Sequence, residues 1–231
     1  MTVFRTISCL ILLVSLGGAN AWAYKPGPDI IRECPKCKTH LEQHSTMSGN
    51  TIGARLWTDG KMVAPMLPDR PWLLKCPKCQ SVFWIDDAKE LGRQYPWDKD
   101  KKWPKAVEPV FPTEKDYLNV VQDDKLSDKK ELYARRRAWW LANDTVRTNT
   151  DATITFSRAQ ADNLQKLAAL LDEQDSDQRI MKAELFRELG QFDACIKLLS
   201  FPFKNERRAE VAAFIRQLAE QKVQAVREIT K

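Results

Sequence analysis

Two identical cysteine motifs constrain this chain more than any other feature. The tetrapeptide Cys-Pro-Lys-Cys occupies residues 34–37 and recurs at residues 76–79. Zinc in structural sites takes four ligands in a tetrahedron, and each Cys-x-x-Cys turn supplies two thiolates on one side of the ion. The sequence therefore predicts one structural Zn²⁺ site formed by Cys34, Cys37, Cys76 and Cys79.

The surroundings of the two motifs support this interpretation. A proline follows the first cysteine of each pair, and residues 82–85 after the second pair have the composition of a β-strand. In these respects the chain resembles zinc-ribbon and rubredoxin-like knuckle proteins. The resemblance implies a small β domain built around the metal. Lys36 and Lys78 lie within the motifs and would offset part of the thiolate charge.

Two other interpretations of the cysteines remain open. A Cys-Pro-x-Cys sequence also resembles the active-site dithiol of thioredoxin-like oxidoreductases, whose chemistry needs a thiolate at a helix N-terminus in a βαβ setting. The strand-like residues after Cys79 do not fit that setting. In an oxidising compartment the four thiols could instead form two disulfides, although a bridge within Cys-x-x-Cys closes a very small loop and stabilises little.

The other candidate ligands have simpler interpretations. His40 and His44 are the two histidines of the chain, and both follow Cys37 closely. With four thiols available, we interpret them as polar residues near the motif; a replacement ligand or a second metal site is the alternative. We expect Cys195 to be a small buried hydrophobe at a contact between helices.

The first 23 residues have the three regions of a secretory signal peptide. Arg5 precedes an apolar run at residues 6–18, and Ala21 and Ala23 supply the small residues of an A-x-A cleavage site. The run is shorter than the ~20 apolar residues that span a membrane. Cys9 lies inside the run, which argues against a lipoprotein. We predict cleavage after Ala23 and export to the periplasm or the exterior, with no stable membrane span afterwards; a buried N-terminal helix is the alternative.

Composition adds little about function. Of the 231 residues, 43% are hydrophobic and 29% are charged, which permits a packed core. The formal net charge is +6, and removal of Arg5 with the signal peptide lowers it by one. This small positive excess gives no reason to expect a nucleic-acid partner, and export makes one less plausible.

Proline and glycine divide the rest of the chain into three zones. Residues 24–91 are rich in turn signals and carry the four motif cysteines. Residues 92–112 contain four prolines and four lysines, which predicts an extended connector lying across a neighbouring surface. Residues 113–231 contain one glycine and one proline. We therefore predict an α+β chain, with a small β zinc ribbon, a connector and an independent helical domain.

Local patterns predict the elements of each zone. Asp59-Gly60 lies between two strand-like runs and is typical of a hairpin with a type I′ turn. Residues 72–74 and 82–85 are predicted strands. Thr113, Ser127 and Ser157 precede helical patterns and are expected to be N-caps. The last two helices are predicted at residues 194–200 and 206–229. The side chains expected to lie largely in the helical core are Trp139, Trp140, Phe186, Leu189, Phe192 and Phe214.

One helical stretch resembles a tetratricopeptide repeat. Ala183 and Phe186 occupy the places of the small and aromatic residues that close the first helix of that motif. Gly190 occupies the turn, and Phe192 and Cys195 occupy the aromatic and small positions that begin the second helix. Only one unit of about 34 residues is recognisable, and a single repeat cannot bury its own face. The resemblance implies stacked helix pairs and a surface for docking a peptide or protein.

The sequence shows no set of catalytic residues. It has no Gly-rich phosphate loop, nucleophile elbow or HExxH motif, and its two histidines both follow a cysteine motif. We therefore expect an exported, zinc-binding, non-enzymatic protein that binds a protein or peptide partner. The alternative is a thiol-redox or zinc-handling protein that acts through its two Cys-Pro-Lys-Cys motifs.

Overall fold

A computed structural model describes residues 25–149 and 153–230. The predicted signal peptide, residues 1–23, lies outside the described residues. The described chain is α+β, with nine short strands in its N-terminal part followed by six α-helices. The strands are β1 (Lys25–Pro26), β2 (Asp29–Glu33), β3 (His40–Gln43), β4 (Thr46–Ser48), β5 (Arg55–Leu56), β6 (Met62–Val63), β7 (Leu73–Lys75), β8 (Val82–Trp84) and β9 (Lys89–Gln94). The helices are α1 (Glu114–Val120), α2 (Asp128–Asp144), α3 (Arg158–Ala169), α4 (Ser176–Glu188), α5 (Phe192–Leu199) and α6 (Glu206–Glu220).

The cysteine motifs form the turns of two separate hairpins. Strands β2 and β3 pair antiparallel on either side of residues 34–37, and β9 pairs with the other edge of β2. Strands β7 and β8 pair antiparallel on either side of residues 76–79 and form a sheet of their own. The predicted strands around the second motif are therefore confirmed. In the described sheets no strand of one cysteine hairpin pairs with a strand of the other.

The proline-rich connector crosses both cysteine hairpins, as predicted. Val107 forms an isolated bridge with Leu41 on β3, and Val110 forms one with Lys75 on β7. Its N-terminal end is strand β9, which runs through the predicted boundary between residues 91 and 92. The backbone of the connector thus bonds to both hairpins, whereas the described strands of the two hairpins do not pair with each other.

The predicted hairpin at residue 59 forms, but its turn type differs from the prediction. Strands β5 and β6 pair antiparallel, and Gly60 has a φ of +75°. Asp59 does not have positive φ, whereas a type I′ turn needs it at both central positions. The amide of Gly60 donates to the Trp57 carbonyl, and the amide of Trp57 donates to the Lys61 carbonyl. This longer connection needs the left-handed conformation at Gly60 alone.

Hydroxyl side chains begin three helices where the sequence predicts them. Thr113, Ser127 and Ser157 are the N-caps of α1, α2 and α3, and each side chain accepts a hydrogen bond from an amide in the first turn. In α1 and α3 the residue three positions later completes a capping box. These bonds satisfy amides that would otherwise lack a partner at the helix end.

Gly190 ends α4, and α5 packs back against α4. Its φ is +76°, a conformation that glycine adopts without the steric cost of a side chain. Cys195 is fully buried between these helices with Ala183 and Leu198, as expected for a small hydrophobe. The helix pair predicted at this position is present, and its place in a repeat array stays a prediction.

The last predicted helix is shorter than expected. The sequence predicts helix to residue 229, but α6 ends at Glu220 and Lys222 has a φ of +57°. The following residues return to the β5–β6 hairpin, where the Ile229 amide donates to the Leu56 carbonyl and the Thr58 amide donates to the Arg227 carbonyl. Ala225 and Val226 are buried in this segment. These long-range contacts outweigh the local helical preference of residues 221–229.

The hydrophobic core is shared between strands and helices. Leu73 on β7 and Trp84 on β8 pack with Tyr117 of α1 and Tyr133 of α2. The Tyr133 hydroxyl also accepts a hydrogen bond from the Trp72 amide, and their rings stack with centroids 4.7 Å apart. Stability of the second cysteine hairpin is therefore coupled to packing of the first two helices. The division into an independent ribbon and helical domain stays a prediction.

The predicted aromatic core is only partly realised. Trp139 is completely buried. The other five predicted core residues are half-buried; they are Trp140, Phe186, Leu189, Phe192 and Phe214. The first four of them lie at the margins of the two clusters formed by α2–α6. The inward positions between the paired helices are taken instead by smaller aliphatic residues such as Leu164, Leu167 and Ile215.

Candidate metal centre

Both cysteine motifs adopt the same turn. The Cys34 amide donates to the Thr39 carbonyl at 2.9 Å, and the Lys38 amide donates to the Cys34 carbonyl at 3.0 Å. The second motif repeats this pattern, with Cys76 bonded to Ser81 at 2.9 Å and Gln80 bonded to Cys76 at 2.9 Å. The chain reverses direction over each motif and directs two cysteines toward the same space.

The residue after each second cysteine has a left-handed backbone. Lys38 has a φ of +62° and Gln80 has a φ of +58°. This conformation is uncommon for residues other than glycine. Three described non-glycine residues adopt it, and two of them are at equivalent positions of the two turns. Because the same strained conformation occurs in both turns, we infer that the turn geometry is needed for a function. That function is to direct the sulfur atoms toward one point.

The four motif sulfurs converge on one point. Cys34 Sγ lies 3.7 Å from Cys79 Sγ, and Cys37 Sγ lies 3.6 Å from Cys76 Sγ. All four sulfurs lie within 4.8 Å of one another. A tetrahedron of sulfurs, each ~2.3 Å from a central Zn²⁺, has edges of about 3.8 Å. The structure therefore brings together all four predicted ligands, at distances that suit one tetrahedral metal ion.

Two close sulfur contacts link the two hairpins. Each of the 3.7 Å and 3.6 Å contacts joins one cysteine of the first motif to one of the second. Both distances exceed the ~2.05 Å bond of a disulfide, and all four cysteines are free thiols in the structure. An ion at the centre would connect two sheets that share no strand pairing.

The hydroxyl residues after the motifs favour thiolates. Thr39 Oγ1 lies 3.2 Å from Cys37 Sγ, and its hydrogen bond lowers the pKa of Cys37 to about 6. Ser81 Oγ lies 3.0 Å from Cys79 Sγ and likewise lowers the pKa of Cys79. Burial raises the pKa of Cys76 to about 11. A metal would supply the charge needed to ionise this buried thiol, because metal ligands of this type bind as thiolates.

The surroundings of the sulfurs are apolar on one side and open on the other. Cys34 and Cys76, the first cysteine of each motif, are completely buried. The second cysteines are half-buried, and Lys36 and Lys78 are exposed beside them. The buried side of the cluster is formed by Leu41, Leu74, Phe83 and Ala88. A soft donor set of four sulfurs leaves no open coordination position on a tetrahedral ion, which suits a structural Zn²⁺ site rather than a catalytic one.

Neither histidine belongs to the sulfur cluster. His40 is exposed at the start of β3. His44 lies between two carboxylates, with Nδ1 2.6 Å from Asp29 Oδ1 and Nε2 2.8 Å from Glu108 Oε1. The pKa of His44 is raised above its ordinary value, chiefly by the hydrogen bond to Asp29. The residue thus joins β2 to the connector, a contact that the sequence pattern did not indicate.

A buried polar network joins four distant segments. Asp59, in the β5–β6 turn, accepts two hydrogen bonds from Arg147, at 3.2 and 2.7 Å. Asn143 donates to both Asp59 and Glu188, and the Trp139 indole also donates to Glu188. Burial raises the pKa of Glu188 well above its ordinary value.

The same network reaches the C-terminal segment. Arg187 is completely buried, forms an ion pair with Glu184 at 2.5 Å and donates to the carbonyls of Val223 and Ala225. Each buried charge therefore has a hydrogen-bonded partner, as buried charges require. Sequence reasoning missed this network because its members are far apart in the chain, and a polar residue inside a helical pattern does not reveal its partner. We interpret it as structural.

Comparisons with known proteins do not extend this description. No family model, curated protein or solved structure matches the chain. Within the described residues, none of the helices combines the length and apolar character needed to cross a membrane.

The contacts of His44 predict a pH-dependent contribution to stability. A histidine whose pKa is raised in the folded state stabilises the fold below its unfolded pKa of ~6.5, and this contribution is lost as the pH rises through the folded pKa. We expect His44→Gln to lower the melting temperature more at about pH 6 than at about pH 9. Thermal unfolding followed by circular dichroism measures both differences.

The control for this experiment is His40→Gln. It removes the other histidine, which makes no side-chain hydrogen bond or ion pair within the described residues. Its effect should be small and equal at the two pH values. An equal loss at both pH values for His44→Gln would contradict the proposed pairing of a charged His44 with Asp29 and Glu108.

Proposed function

We propose that this protein is an exported, non-enzymatic zinc protein whose helical part binds a protein or peptide partner. The observation that carries the metal assignment is the convergence of Cys34, Cys37, Cys76 and Cys79, whose sulfur atoms all lie within 4.8 Å of one another. Zinc is favoured over other ions because a closed, tetrahedral four-thiolate set is typical of structural zinc.

The metal would act as a crosslink between weakly connected parts. The two cysteine hairpins belong to different sheets, and their paired strands, of three to five residues, make few hydrogen bonds. Structural zinc binding is worth about 10–16 kcal/mol apparent at neutral pH, which is as large as the whole stability of a typical domain. The role supported by this geometry is therefore to hold the N-terminal part folded.

The proposed partner-binding role rests on the helix pair α4–α5. Its residues resemble the hinge of a tetratricopeptide repeat, with Cys195 where alanine is usual, and α6 packs against both helices of the pair. Stacked helix pairs of this kind form extended concave surfaces that dock peptides. The absence of a recognisable catalytic constellation in the sequence makes binding the better-supported function.

Thiol chemistry is the second candidate function. It is favoured by one observation, the lowered pKa of the half-buried Cys37, since the thiolate is the reactive form of cysteine. Against it, strands β3 and β8 follow the two motifs, where a thioredoxin-like dithiol would begin a helix.

Replacement of motif cysteines tests the metal assignment. We expect Cys76→Ser to abolish stoichiometric zinc binding, because three thiolates cannot complete the tetrahedron. We also expect it to lower the melting temperature and disturb the near-ultraviolet circular dichroism, since Trp84 of the second hairpin packs on α1 and α2. Elemental analysis of the purified protein and thermal unfolding provide the two measurements.

Cys195→Ser is the matched control for that experiment. Cys195 is buried like Cys76 but lies among helices outside the sulfur cluster, so this variant should keep one zinc per chain. Equal zinc content in the wild type and both variants would contradict the assignment. Rapid turnover of a disulfide substrate by wild-type protein, lost in Cys37→Ser, would favour thiol chemistry instead.

Export rests on the pattern of residues 1–23 and has its own test. We expect N-terminal sequencing of the protein recovered from the producing cell's envelope or medium to begin near Tyr24, because Ala21 and Ala23 match the cleavage site. An intact Met1 in the purified protein would contradict export.

A further inference from the structure

A cavity of about 390 Å³ opens on the side of the molecule formed by the β5–β6 hairpin and the helices α4 and α6. Four chain segments line it: residues 56–60, 177–181 and 205–211, together with Ile229. None of the four cysteines of the sulfur cluster lines it. The cavity is therefore separate from the candidate metal centre.

The lining of the cavity is mainly apolar. Leu56 and Trp57 come from the hairpin, Ile180 and Met181 from α4, and Val211 from α6. The volume is at the lower end of the 300–1,000 Å³ typical of ligand sites. It suits one large apolar side chain of a bound peptide better than a complete cofactor, and buried aromatic anchors of this kind dominate many interfaces.

The segments that line the cavity are held in place by hydrogen bonds and an ion pair. The hairpin is fixed to the C-terminal segment by the hydrogen bond from Thr58 to Arg227 and by that from Ile229 to Leu56. Asp177, in the first turn of α4, pairs with Arg208, in the first turn of α6, at 2.6 Å. A cavity formed by restrained segments needs little reorganisation to accept a ligand, which favours binding.

The charges at the cavity favour an anionic group beside the apolar one. Asp59 is already paired with Arg147, and Asp177 is paired with Arg208. Arg207 lines the cavity and forms no ion pair within the described residues. It lies in the first turn of α6, a 15-residue helix whose N-terminus also favours negative charge. Glu206 and Glu210 are its neighbours on that helix, but neither lines the cavity.

We propose that this cavity binds a peptide segment of a partner protein, with a large apolar side chain inserted between α4 and the hairpin and an adjacent carboxylate paired with Arg207. This assignment rests on the proposed binding function and specifies the chemistry of the partner. Burial of the apolar side chain in the cavity contributes binding free energy. The carboxylate orients the peptide through a charge-assisted hydrogen bond to Arg207.

A short peptide tests the assignment directly. The probe is acetyl-Gly-Phe-Asp-Gly-amide, added to isotopically labelled, zinc-loaded protein and followed by amide chemical shifts. We expect the shifts to change at residues 56–60, 177–181 and 205–211. Replacement of Asp by Asn in the probe should weaken binding about tenfold, because it removes a charge-assisted bond. Replacement of Phe by Ala should weaken it further.

Two variants locate the interaction on the protein. Arg207→Gln should bind the Asp and Asn probes equally, and Val211→Phe should abolish binding by filling the cavity. Arg216→Gln is the matched control, since Arg216 also lies on α6 but does not line the cavity. If Val211→Phe does not fold, the Arg207→Gln comparison decides alone.

Three outcomes would overturn the assignment: no shift changes with any probe, shift changes away from the cavity, or an unchanged preference for the Asp probe in Arg207→Gln. The zinc content of the same samples separates this result from the metal assignment. A chain that holds one zinc and does not respond to the probe loses the cavity assignment and keeps its structural metal.

Discussion

The two cysteine hairpins share no strand pairing, and the contact that joins them at their tips is the cluster of four sulfurs. Four thiolates at such distances repel one another, so an apo cluster would be unstable as a fully ionised set. A central divalent ion would attract all four thiolates and so would convert the repulsion into a crosslink. Such a link would add to the limited hydrogen bonding and burial that strands of two to six residues provide.

A crosslink at this place would affect more of the molecule than the two hairpins. The second hairpin contributes Leu73 and Trp84 to a core that also contains Tyr117 and Tyr133 from the first two helices. Further along the chain, the β5–β6 hairpin is joined to α2, α4 and the C-terminal segment by hydrogen bonds among buried polar groups. Loss of the metal should therefore loosen the helices nearest the hairpins, rather than unfold an isolated ribbon. The cavity lined by α4, α6 and the β5–β6 hairpin lies on one side of this connected structure.

Features determined by neighbouring residues were predictable from the sequence. The turns at the two cysteine motifs, the N-caps Thr113, Ser127 and Ser157 and the helix stop at Gly190 depend on patterns within a few residues, and the structure contains them. The end of α6 was not predictable in this way. Residues 221–229 have helical composition, but their backbone groups bond to a hairpin more than 160 residues earlier in the chain.

The partners of the buried charged residues also could not be predicted from the sequence. Asp59 has the local character of a turn residue, and nothing near it in the chain indicates a bond to Arg147 across 88 positions. The cavity was missed for the same reason, since its lining comes from four separate segments. The left-handed backbone at Lys38 and Gln80 could not be predicted from the type of residue. The one shared feature in the sequence is that each residue directly follows a cysteine motif. Thr39 and Ser81 did carry a usable signal, because both motifs are followed two residues later by a hydroxyl side chain.

The most direct test of the central claim is X-ray absorption spectroscopy at the zinc edge of the protein purified without added metal. This account predicts one zinc per chain with four sulfur neighbours at ~2.3 Å and no nitrogen neighbour. A zinc-free protein in which mass spectrometry finds the four motif cysteines joined as two disulfides would contradict it, as would a spectrum with histidine nitrogen in the first coordination sphere.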